Sequence, residues 1–360
     1  MKILFISRSN LYKDKGGDTV QIVNTAKYLR LLGVHVDIKL STENIDYASY
    51  DLLHFFNIIR PADILSHIKK TDKPFVVSTI YVDYGDYERN ERGGLTGLPS
   101  KIFSADALEY FKAIARFILK GEKIASREYL LLGQKRSIKK IMKLSSMLLP
   151  NSHSEYKRLS SKYKLNCRYM AIPNAIDTDI FSKETDINQK DPYLVICVGR
   201  IEGRKNQLKL IKALNDSAYK LIIIGSPSTN HVKYYNLCKE TAHSNISFIE
   251  SIAQEELMKY YQKAKVHVLP SWIETTGLSS LEAAAMKCNI VVTDKGDTEE
   301  YFEHYAFYCD PGSEKSIYET VKKAVESDFQ EDLYKKVFRE YIWQVTAEKT
   351  LSAYKNVLVG

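Results

Sequence analysis

The sequence lacks any long run of apolar residues. No stretch approaches the roughly 20 consecutive apolar residues that a helix needs to cross a bilayer. The opening segment, MKILFIS, has a short apolar run that is followed by polar residues and not by the small-residue cleavage site of a signal peptide. We therefore expect a globular chain whose first residues form a buried strand.

Cysteine is scarce and scattered. The cysteines never occur as C-x-x-C pairs, and their number is odd. The five residues are Cys167, Cys197, Cys238, Cys288 and Cys309. This pattern argues against both a disulfide framework and a zinc site, and it indicates a reducing cytosol.

The sequence also lacks internal repeats and the G-x-G-x-x-G spacing of dinucleotide sites, and the missing fingerprint disfavours a nicotinamide or flavin enzyme. Instead, Gly16 and Gly17 stand between the first predicted strand and a predicted helix. Glycines there let backbone N–H groups approach an anion. The pair fits an ordinary surface turn equally well, so both interpretations stay open.

Short apolar, β-branched runs alternate with longer amphipathic segments, which is typical of strand-helix units in parallel sheets. A chain of 360 residues exceeds what one hydrophobic core usually supports, so two domains are expected. The predicted strands begin at Lys2, Val34, Leu52, Pro74, Ser146, Tyr193, Lys220, Ile246, Val266 and Asn289. Each half therefore predicts its own doubly wound domain, with the polar stretch 182–192 as linker.

The formal net charge of +8 is concentrated in one segment. Residues 101–143 contain eleven Lys and Arg against four Asp and Glu, a difference of 11 − 4 = +7. Apolar residues at helical spacing lie between the first of these cations, which suits an amphipathic helix on an anionic membrane surface. A solvated helix face has the same composition. No nucleic-acid motif accompanies the charge, so nucleic acid is not an expected partner.

The segment ETTGLSSLE follows a predicted strand and leads into a predicted helix. Glu274 falls in the loop, where its carboxylate can accept hydrogen bonds from two neighbouring sugar hydroxyls. The amides of Gly277, Leu278 and Ser279 lie at the helix N-terminus, where partial positive charge favours a diphosphate. Glu282 can reach a ribose diol. In the alternative interpretation, both glutamates are ordinary surface charges, one of which offsets the helix dipole.

A cationic segment, VGRIEGRKNQ, leaves the first predicted strand of the second half. It carries Arg200, Arg204 and Lys205 before the next helix. Cations at the carboxyl end of a strand are well placed for phosphate oxygens, because ligands of α/β sheets bind in that crevice. A solvated basic turn is the alternative.

Four motifs together resemble a known family. GGDTVQ, IPNAID, VGRIEGRKN and ETTGLSSLE occur in the order and approximate spacing of family 4 glycosyltransferases, which are retaining enzymes of the GT-B fold. The ending, YIWQVTAEKTLSAYKNVL, resembles the closing helices of that family. The resemblance covers essentially the whole chain and extends to bacterial enzymes of surface-polysaccharide and lipopolysaccharide assembly.

The resemblance implies roles for the residues above. Arg200 and Lys205 would hold the donor diphosphate, Glu274 would bind hydroxyls of the transferred sugar, and Glu282 would bind the nucleotide ribose. Arg200, Lys205 and Glu274 are thus the candidate catalytic residues. Gly17 would approach the diphosphate from the first domain.

The resemblance also bears on cofactors and on the nucleotide base. Such enzymes need no metal, because Arg, Lys and helix-end amides stabilise the leaving group. Asp177 and Asp179 form a D-x-D that would suit a metal, but they fall inside the family's N-x-x-D loop motif. No other cofactor is expected, and we expect backbone groups near Gly225 and Ile252 to recognise the base.

Two departures from the family concern the sugar and the acceptor. Thr275 and Thr276 stand where many members have Phe, which changes the wall beside the sugar. Many members also carry a histidine after the fourth strand of the first domain, whereas this chain places Tyr81 and Asp83 there. Tyr81 and Asp83 are therefore candidate acceptor residues, and Asp83 fits a turn cap equally well.

Together these observations predict a GT-B chain of two Rossmann-like doubly wound domains facing a central cleft. Residues 1–170 with helix 343–360 would bind the acceptor, and 171–342 would bind a UDP- or GDP-sugar. The expected reaction is retaining, metal-independent transfer of a hexose-type sugar to a glycan or lipid-linked acceptor, in the cytoplasm or at the inner membrane face. A catalytically silent nucleotide-sugar-binding subunit and a GT-B sugar-nucleotide epimerase are the alternatives.

Overall fold

The structure is a computed structural model that describes residues 1–14, 16–82, 105–120, 126–182 and 185–359. The chain divides into two compact units. Unit 1 comprises Met1–Pro173 and Trp343–Gly360, and unit 2 comprises Asn174–Ile342. Within the described ranges, no helix is both long and apolar enough to cross a membrane.

Unit 1 is built on a parallel sheet of five described strands in the order β2-β1-β3-β4-β5. Its strands are β1 Lys2–Ser7, β2 His35–Leu40, β3 Leu52–Phe56, β4 Phe75–Ser78 and β5 Met147–Leu149. Its helices are α1 Gly17–Leu31, α2 Pro61–Ile68, α3 Ala105–Lys120, α4 Arg127–Leu144, α5 His153–Tyr163 and, from the end of the chain, α14 Trp343–Leu358. Strands β1, β3, β4 and β5 form because their apolar runs are buried in the sheet, whereas the edge strand β2 alternates apolar and polar residues and is mostly half-buried.

Unit 2 is built on a parallel sheet of six described strands in the order β11-β10-β9-β6-β7-β8. Its strands are β6 Asp191–Val198, β7 Lys220–Ile224, β8 Ile246–Ile249, β9 Ala264–Leu269, β10 Asn289–Thr293 and β11 Phe307–Cys309. Its helices are α6 Thr178–Phe181, α7 Gln207–Leu214, α8 Val232–Thr241, α9 Gln254–Lys263, α10 Leu278–Ala285, α11 Thr298–Phe302, α12 Glu314–Glu326 and α13 Glu331–Glu340.

The predicted fold class of two Rossmann-like parallel-sheet domains is confirmed, and every predicted strand is present. The three-residue strand β11 was not predicted. The predicted linker at 182–192 is wrong. Its described part lies inside unit 2, where the Lys190 ammonium is buried and donates to the carbonyls of Tyr261 (3.0 Å) and Ala264 (2.8 Å).

The strand order of unit 2 fixes where a ligand can bind. Starting from β6, the chain adds β7 and β8 on one side and then crosses over to add β9, β10 and β11 on the other. The neighbouring strands β6 and β9 are therefore the switch point, and loops leaving their carboxyl ends diverge to opposite faces of the sheet. Open α/β sheets bind their ligands in the crevice that this divergence creates.

The carboxyl ends of β6 and β7 approach each other closely at Gly225. This residue has a φ of 150°, and a Cβ built on it would lie 2.0 Å from the carbonyl oxygen of Gly199. Gly199 has a similar φ of 153°, but a Cβ there would meet no heavy atom within 4 Å. A side chain at either position would therefore strain the backbone, but only a side chain at Gly225 would also clash with a neighbouring main chain.

We expect Gly225→Ala to destabilise unit 2 by about 1–3 kcal/mol more than Gly199→Ala, because only the first substitution forces two backbones apart. Denaturant unfolding of both variants, followed by circular dichroism, measures the difference. Equal losses of stability in the two variants would contradict the close approach.

Candidate active site

A buried ion pair lies at the switch point of unit 2. The Glu274 carboxylate accepts a hydrogen bond from the Lys205 ammonium and a second one from the Ser271 hydroxyl at 3.0 Å. The side chains of Lys205 and Glu274 are only 14% and 8% exposed. Burial by itself raises the pKa of Glu274, but the charge and hydrogen bond of Lys205, together with Arg204 and Ser271, bring it below its ordinary value. Glu274 is therefore a carboxylate at neutral pH.

Lys205 is positioned by a short loop after β6. Gly203–Lys205 form a 3-10 turn, and Asn206 then adopts a left-handed conformation with a φ of 63°. The buried Asn206 amide donates to the carbonyl oxygens of Pro270 at 3.1 Å and Pro311 at 2.8 Å. Since Pro270 follows β9 directly, this amide ties the lysine loop to the glutamate loop.

Glu274 is positioned by the loop that follows β10. Its backbone N–H donates to the carbonyl of Lys295 at 3.0 Å, and its carbonyl accepts from the N–H of Asp297 at 2.9 Å. Between them, a Cβ on Gly296 would lie 1.8 Å from the Glu274 carbonyl oxygen. Only glycine permits this approach, so the main chain of Glu274 is held on both sides.

Helix α10 starts directly after this loop. Gly277 is its N-cap, and the Gly277 carbonyl accepts from the N–H groups of Ser280 (2.8 Å) and Leu281 (3.0 Å). The amides of Gly277, Leu278 and Ser279 precede the first intrahelical donors, as the opening N–H groups of any helix do. They lie within three to five residues of Glu274, at the positive end of the helix dipole.

Two arginines accompany the ion pair. The buried Glu202 carboxylate accepts from Nε of Arg204 at 2.7 Å. Burial by itself raises the pKa of Glu202, but the positive charges of Arg204 and Arg200 outweigh that effect, so the pKa lies below its ordinary value. Glu202 is thus ionised and holds the arginine side of the loop, a role that the sequence did not reveal. Arg200 itself is partly buried, and its carbonyl accepts from Gln207 Nε2 at 2.9 Å.

Glu282 has a different electrostatic environment from Glu274. Its Oε1 accepts from Gln254 Nε2 and its Oε2 accepts from the Tyr261 hydroxyl, each at 3.1 Å. Burial raises the pKa of Glu282 to about 7, although both hydrogen bonds act in the opposite direction. Near neutral pH this carboxyl therefore gains or loses its proton readily.

The remaining residues predicted for the donor site lie in different parts of the fold. Gly225 lies beside Gly199 and the backbone of Arg200, at the ends of β6 and β7. Ile252 is partly buried in the loop between β8 and α9, and it packs against the core of unit 2. Gly17 is exposed as the first residue of α1 in unit 1.

The residues that depart from the family pattern have different exposures. Thr276 is buried, where its hydroxyl contacts the Asn174 amide at 3.2 Å and the Tyr301 hydroxyl at 3.3 Å. Thr275 is partly exposed. Of the two threonines, Thr275 is thus the one whose side chain is available to a ligand.

The D-x-D aspartates have a local structural role. The Asp177 carboxylate caps α6 by accepting from the N–H of Asp179 at 3.0 Å. Across the residues that the structure describes, no three His, Cys, Asp or Glu side chains are grouped so that they could hold a metal ion.

The acceptor candidates lie in unit 1, where Asp83 is outside the described residues. The Tyr81 ring is 2% exposed and packs edge-on against Tyr163, with ring centroids 6.3 Å apart. It therefore contributes to the core, while its backbone N–H donates to Oε1 of Glu155 at 2.7 Å.

Glu155 is a buried acid that the sequence analysis missed. Its carboxylate also accepts from the Thr79 hydroxyl and, through Oε2, from the N–H of Asn151 at 2.8 Å. It thereby joins the carboxyl ends of β4 and β5. The available signal was S-x-x-E, the capping-box spacing that begins at Ser152, whose hydroxyl accepts from the Glu155 N–H at 2.9 Å.

Comparisons with known proteins agree with this architecture. Sucrose-phosphate synthase from Thermosynechococcus elongatus superposes with a TM-score of 0.78 at 14% identity, over 100% of both chains. The Anabaena protein HepE, solved in complex with UDP-glucose, gives a TM-score of 0.68 at 13% identity, over 99% of this chain and 100% of that one. The two Rossmann-like units thus define the GT-B fold.

The family match lies within unit 2. Residues 177–340 match the family model described as Glycosyl transferases group 1. An uncharacterized glycosyltransferase of Methanocaldococcus jannaschii is 28% identical over 179 residues, which is 46% of this chain and 46% of the relative. The chain therefore spans about half the length of that curated relative.

The raised pKa of Glu282 has a stability consequence whose sign is fixed. The folded state binds the proton more tightly than the unfolded state, so stability falls as pH rises from about 4.5 to about 7. We expect Glu282→Gln to be more stable than the unsubstituted protein by about 2–3 kcal/mol at pH 8 and equal to it below about pH 4.5. Denaturant unfolding across this pH range measures the difference, with the exposed Glu326→Gln as control. A gain that does not depend on pH would contradict the assignment.

Proposed function

We propose that this chain is a metal-independent, retaining glycosyltransferase that moves a hexose-type sugar from a UDP- or GDP-sugar to a glycan or lipid-linked acceptor. The observation that carries the proposal is the buried Lys205–Glu274 pair at the β6/β9 switch point, next to the N-terminus of α10. Cation, carboxylate and helix amides are the groups that a sugar diphosphate requires.

The donor diphosphate would lie against Lys205 and the opening amides of α10. A lysine ammonium has three donors, and Glu274 accepts from one of them. Two donors thus remain to bind phosphate oxygens. Arg200 would add a guanidinium on the same loop, and Arg204 is held against Glu202.

The transferred sugar would lie beside Glu274. This carboxylate uses Oε2 for Lys205 and Ser271, which leaves Oε1 to accept from sugar hydroxyls. Glu274 also keeps Lys205 oriented, so one acid would both position the cation and recognise the sugar. Its lowered pKa keeps it ionised for both purposes.

In the proposed reaction the bond between the anomeric carbon and the β-phosphate breaks, and the developing negative charge is stabilised by Lys205, Arg200 and the α10 amides. The acceptor hydroxyl enters on the same face of the sugar, which retains the anomeric configuration. The leaving phosphate receives the proton of that hydroxyl. No metal is required, because protein donors provide the positive charge.

The HepE complex with UDP-glucose supports a nucleoside diphosphate sugar as the donor class, since HepE shares this fold over nearly its whole length. The fold alone does not select the base. We propose UDP- or GDP-sugars as donors and a surface-polysaccharide intermediate as the acceptor.

We expect Lys205→Met and Glu274→Gln each to lower sugar transfer by about 100-fold or more, because each removes a group that acts on the leaving phosphate or the sugar. Release of nucleoside diphosphate, with a lipid-linked acceptor present, is the measured quantity. The matched control replaces the Lys287–Glu331 pair (2.8 Å), which lies elsewhere in unit 2. Full turnover in either site variant, with both variants folded by circular dichroism, would contradict the proposal.

Substrate screening separates the proposal from its alternatives. A transferase releases nucleoside diphosphate faster when an acceptor is added, whereas an epimerase alters the sugar without one. A silent binding subunit binds the nucleotide and releases nothing. A panel of UDP- and GDP-sugars, each with and without lipid-linked acceptor, gives a different pattern for each case.

We further propose that the α3–α4 face of unit 1 contacts an anionic membrane at the inner face of the cell membrane. Leu131 is 84% exposed and Phe111 is 49% exposed, and the Tyr110 hydroxyl donates to the Leu130 carbonyl at 2.7 Å, which places these residues at one end of the helix pair. The exposed cations of α4 are Arg127, Lys135, Arg136, Lys140 and Lys143. Apolar side chains beside cations are the composition of an interfacial helix.

We expect replacement of Lys135, Arg136, Lys139 and Lys140 by Gln to lower binding to phosphatidylserine vesicles by about 100-fold or more, since each surface cation contributes about 1 kcal/mol. The control neutralises the same number of exposed lysines in unit 2, namely Lys212, Lys233, Lys315 and Lys322. Vesicle co-sedimentation at constant ionic strength is the measurement. Unchanged binding in the α4 variant would show that this face is not the anchor.

A further inference from the structure

We propose that Tyr261 and Gln254 are positioning residues that orient Glu282 toward the ribose of the bound nucleotide. The inference rests on the proposed function. Both residues lie on α9, seven positions apart and hence on the same helix face. Each donates one hydrogen bond of 3.1 Å, and each bonds a different oxygen of the carboxylate. One donor on each oxygen fixes the plane in which the carboxylate lies.

Tyr261 is itself held on several sides. Its carbonyl accepts from the buried Lys190 ammonium at 3.0 Å and from the Cys288 thiol at 3.1 Å. Its ring packs edge-on against Phe181 and His267, with centroids 6.2 and 6.0 Å away. The hydroxyl is therefore delivered to Glu282 by a residue with little freedom to move. Such support is what a binding group needs if it is to be preorganised.

The arrangement leaves acceptor capacity for a diol. A carboxylate has about four lone-pair sites, and the two α9 donors occupy one on each oxygen. One site per oxygen remains, and the two vicinal hydroxyls of a ribose can donate to them side by side. A ligand with two adjacent donors is therefore a better match than a single hydroxyl.

The titratable groups near Glu282 leave it to be stabilised by neutral hydrogen-bond donors. From α9 it faces Tyr261, whose pKa is raised by burial and by the neighbouring Glu282 charge, so that it stays a protonated donor. Behind Tyr261 lie Lys190, Cys288 and, on β9, His267, whose pKa burial lowers to about 3 so that it is neutral. The carboxylate thus depends on hydrogen-bond donors for its stabilisation, and a ligand that adds two donors favours the ionised form.

The test is a double-mutant cycle on nucleotide affinity, with UDP and GDP as probes in isothermal titration calorimetry. Where Glu282 is kept, we expect Tyr261→Phe and Gln254→Ala each to weaken nucleotide binding by about threefold to tenfold, since each removes one hydrogen-bond donor to a charged group. In the Glu282→Gln background, the same substitutions should change affinity by less than about twofold, because their effect passes through the carboxylate. Tyr308→Phe, which removes a hydroxyl bonded to the Glu303 carbonyl at 2.6 Å, is the control.

A pH profile provides a readout that a merely structural role would not change. The affinity advantage of the unsubstituted protein over Glu282→Gln should grow as pH rises through about 7, and in Tyr261→Phe this rise should move to higher pH. Equal losses in both Glu282 backgrounds, or an unmoved profile, would overturn the inference while leaving the proposed function standing. Failure of the unsubstituted protein to bind either nucleotide would overturn both.

Discussion

The buried ion pair between Lys205 and Glu274 is the constraint on which the architecture of unit 2 depends. Either charge alone would be costly at this depth, so the loops after β6 and β9 must present both groups together. Two further contacts hold these loops. The Asn206 side chain donates from the loop after β6 to the Pro270 carbonyl after β9, and Gly296 lets the loop after β10 pack against the backbone of Glu274. The loops after three neighbouring strands, β10, β9 and β6, thus hold this one ion pair in place.

The two glutamates of the 274–282 segment have pKa values shifted in opposite directions. Glu274 has a cation and stays ionised, whereas Glu282 has only neutral donors and a pKa near 7. An acid kept at a cost in stability is more common at a binding site than in a structural position. The structural contrast therefore agrees with one carboxylate that fixes the lysine permanently and one that gains its full set of donors only when a ligand arrives.

The sequence predicted what depends on local pattern and missed what depends on long-range packing. Short apolar, β-branched runs were enough to place ten strands, and the spacing of Glu274, Arg200 and Lys205 predicted a site at one edge of the second sheet. Lys190 was assigned to a linker because its hydrogen-bond acceptors, the carbonyls of Tyr261 and Ala264, lie more than 70 residues away in the sequence. Tyr261 was missed for the same reason, since its partner Glu282 lies on another helix. Glu155 had a local signal in the S-x-x-E spacing, but it receives hydrogen bonds from Thr79 and Tyr81 at the end of β4.

The described carboxyl ends of the strands carry different charged groups in the two units. In unit 2 the crevice holds Arg200, Arg204 and Lys205 around two acids, which favours an anion. In unit 1 the carboxyl ends of β4 and β5 hold the buried Glu155 carboxylate, whose donors include the Thr79 hydroxyl and two backbone N–H groups, and Arg8 after β1 pairs with Asp18. The three cations of the crevice in unit 2 are therefore what supports the proposal of a donor site there.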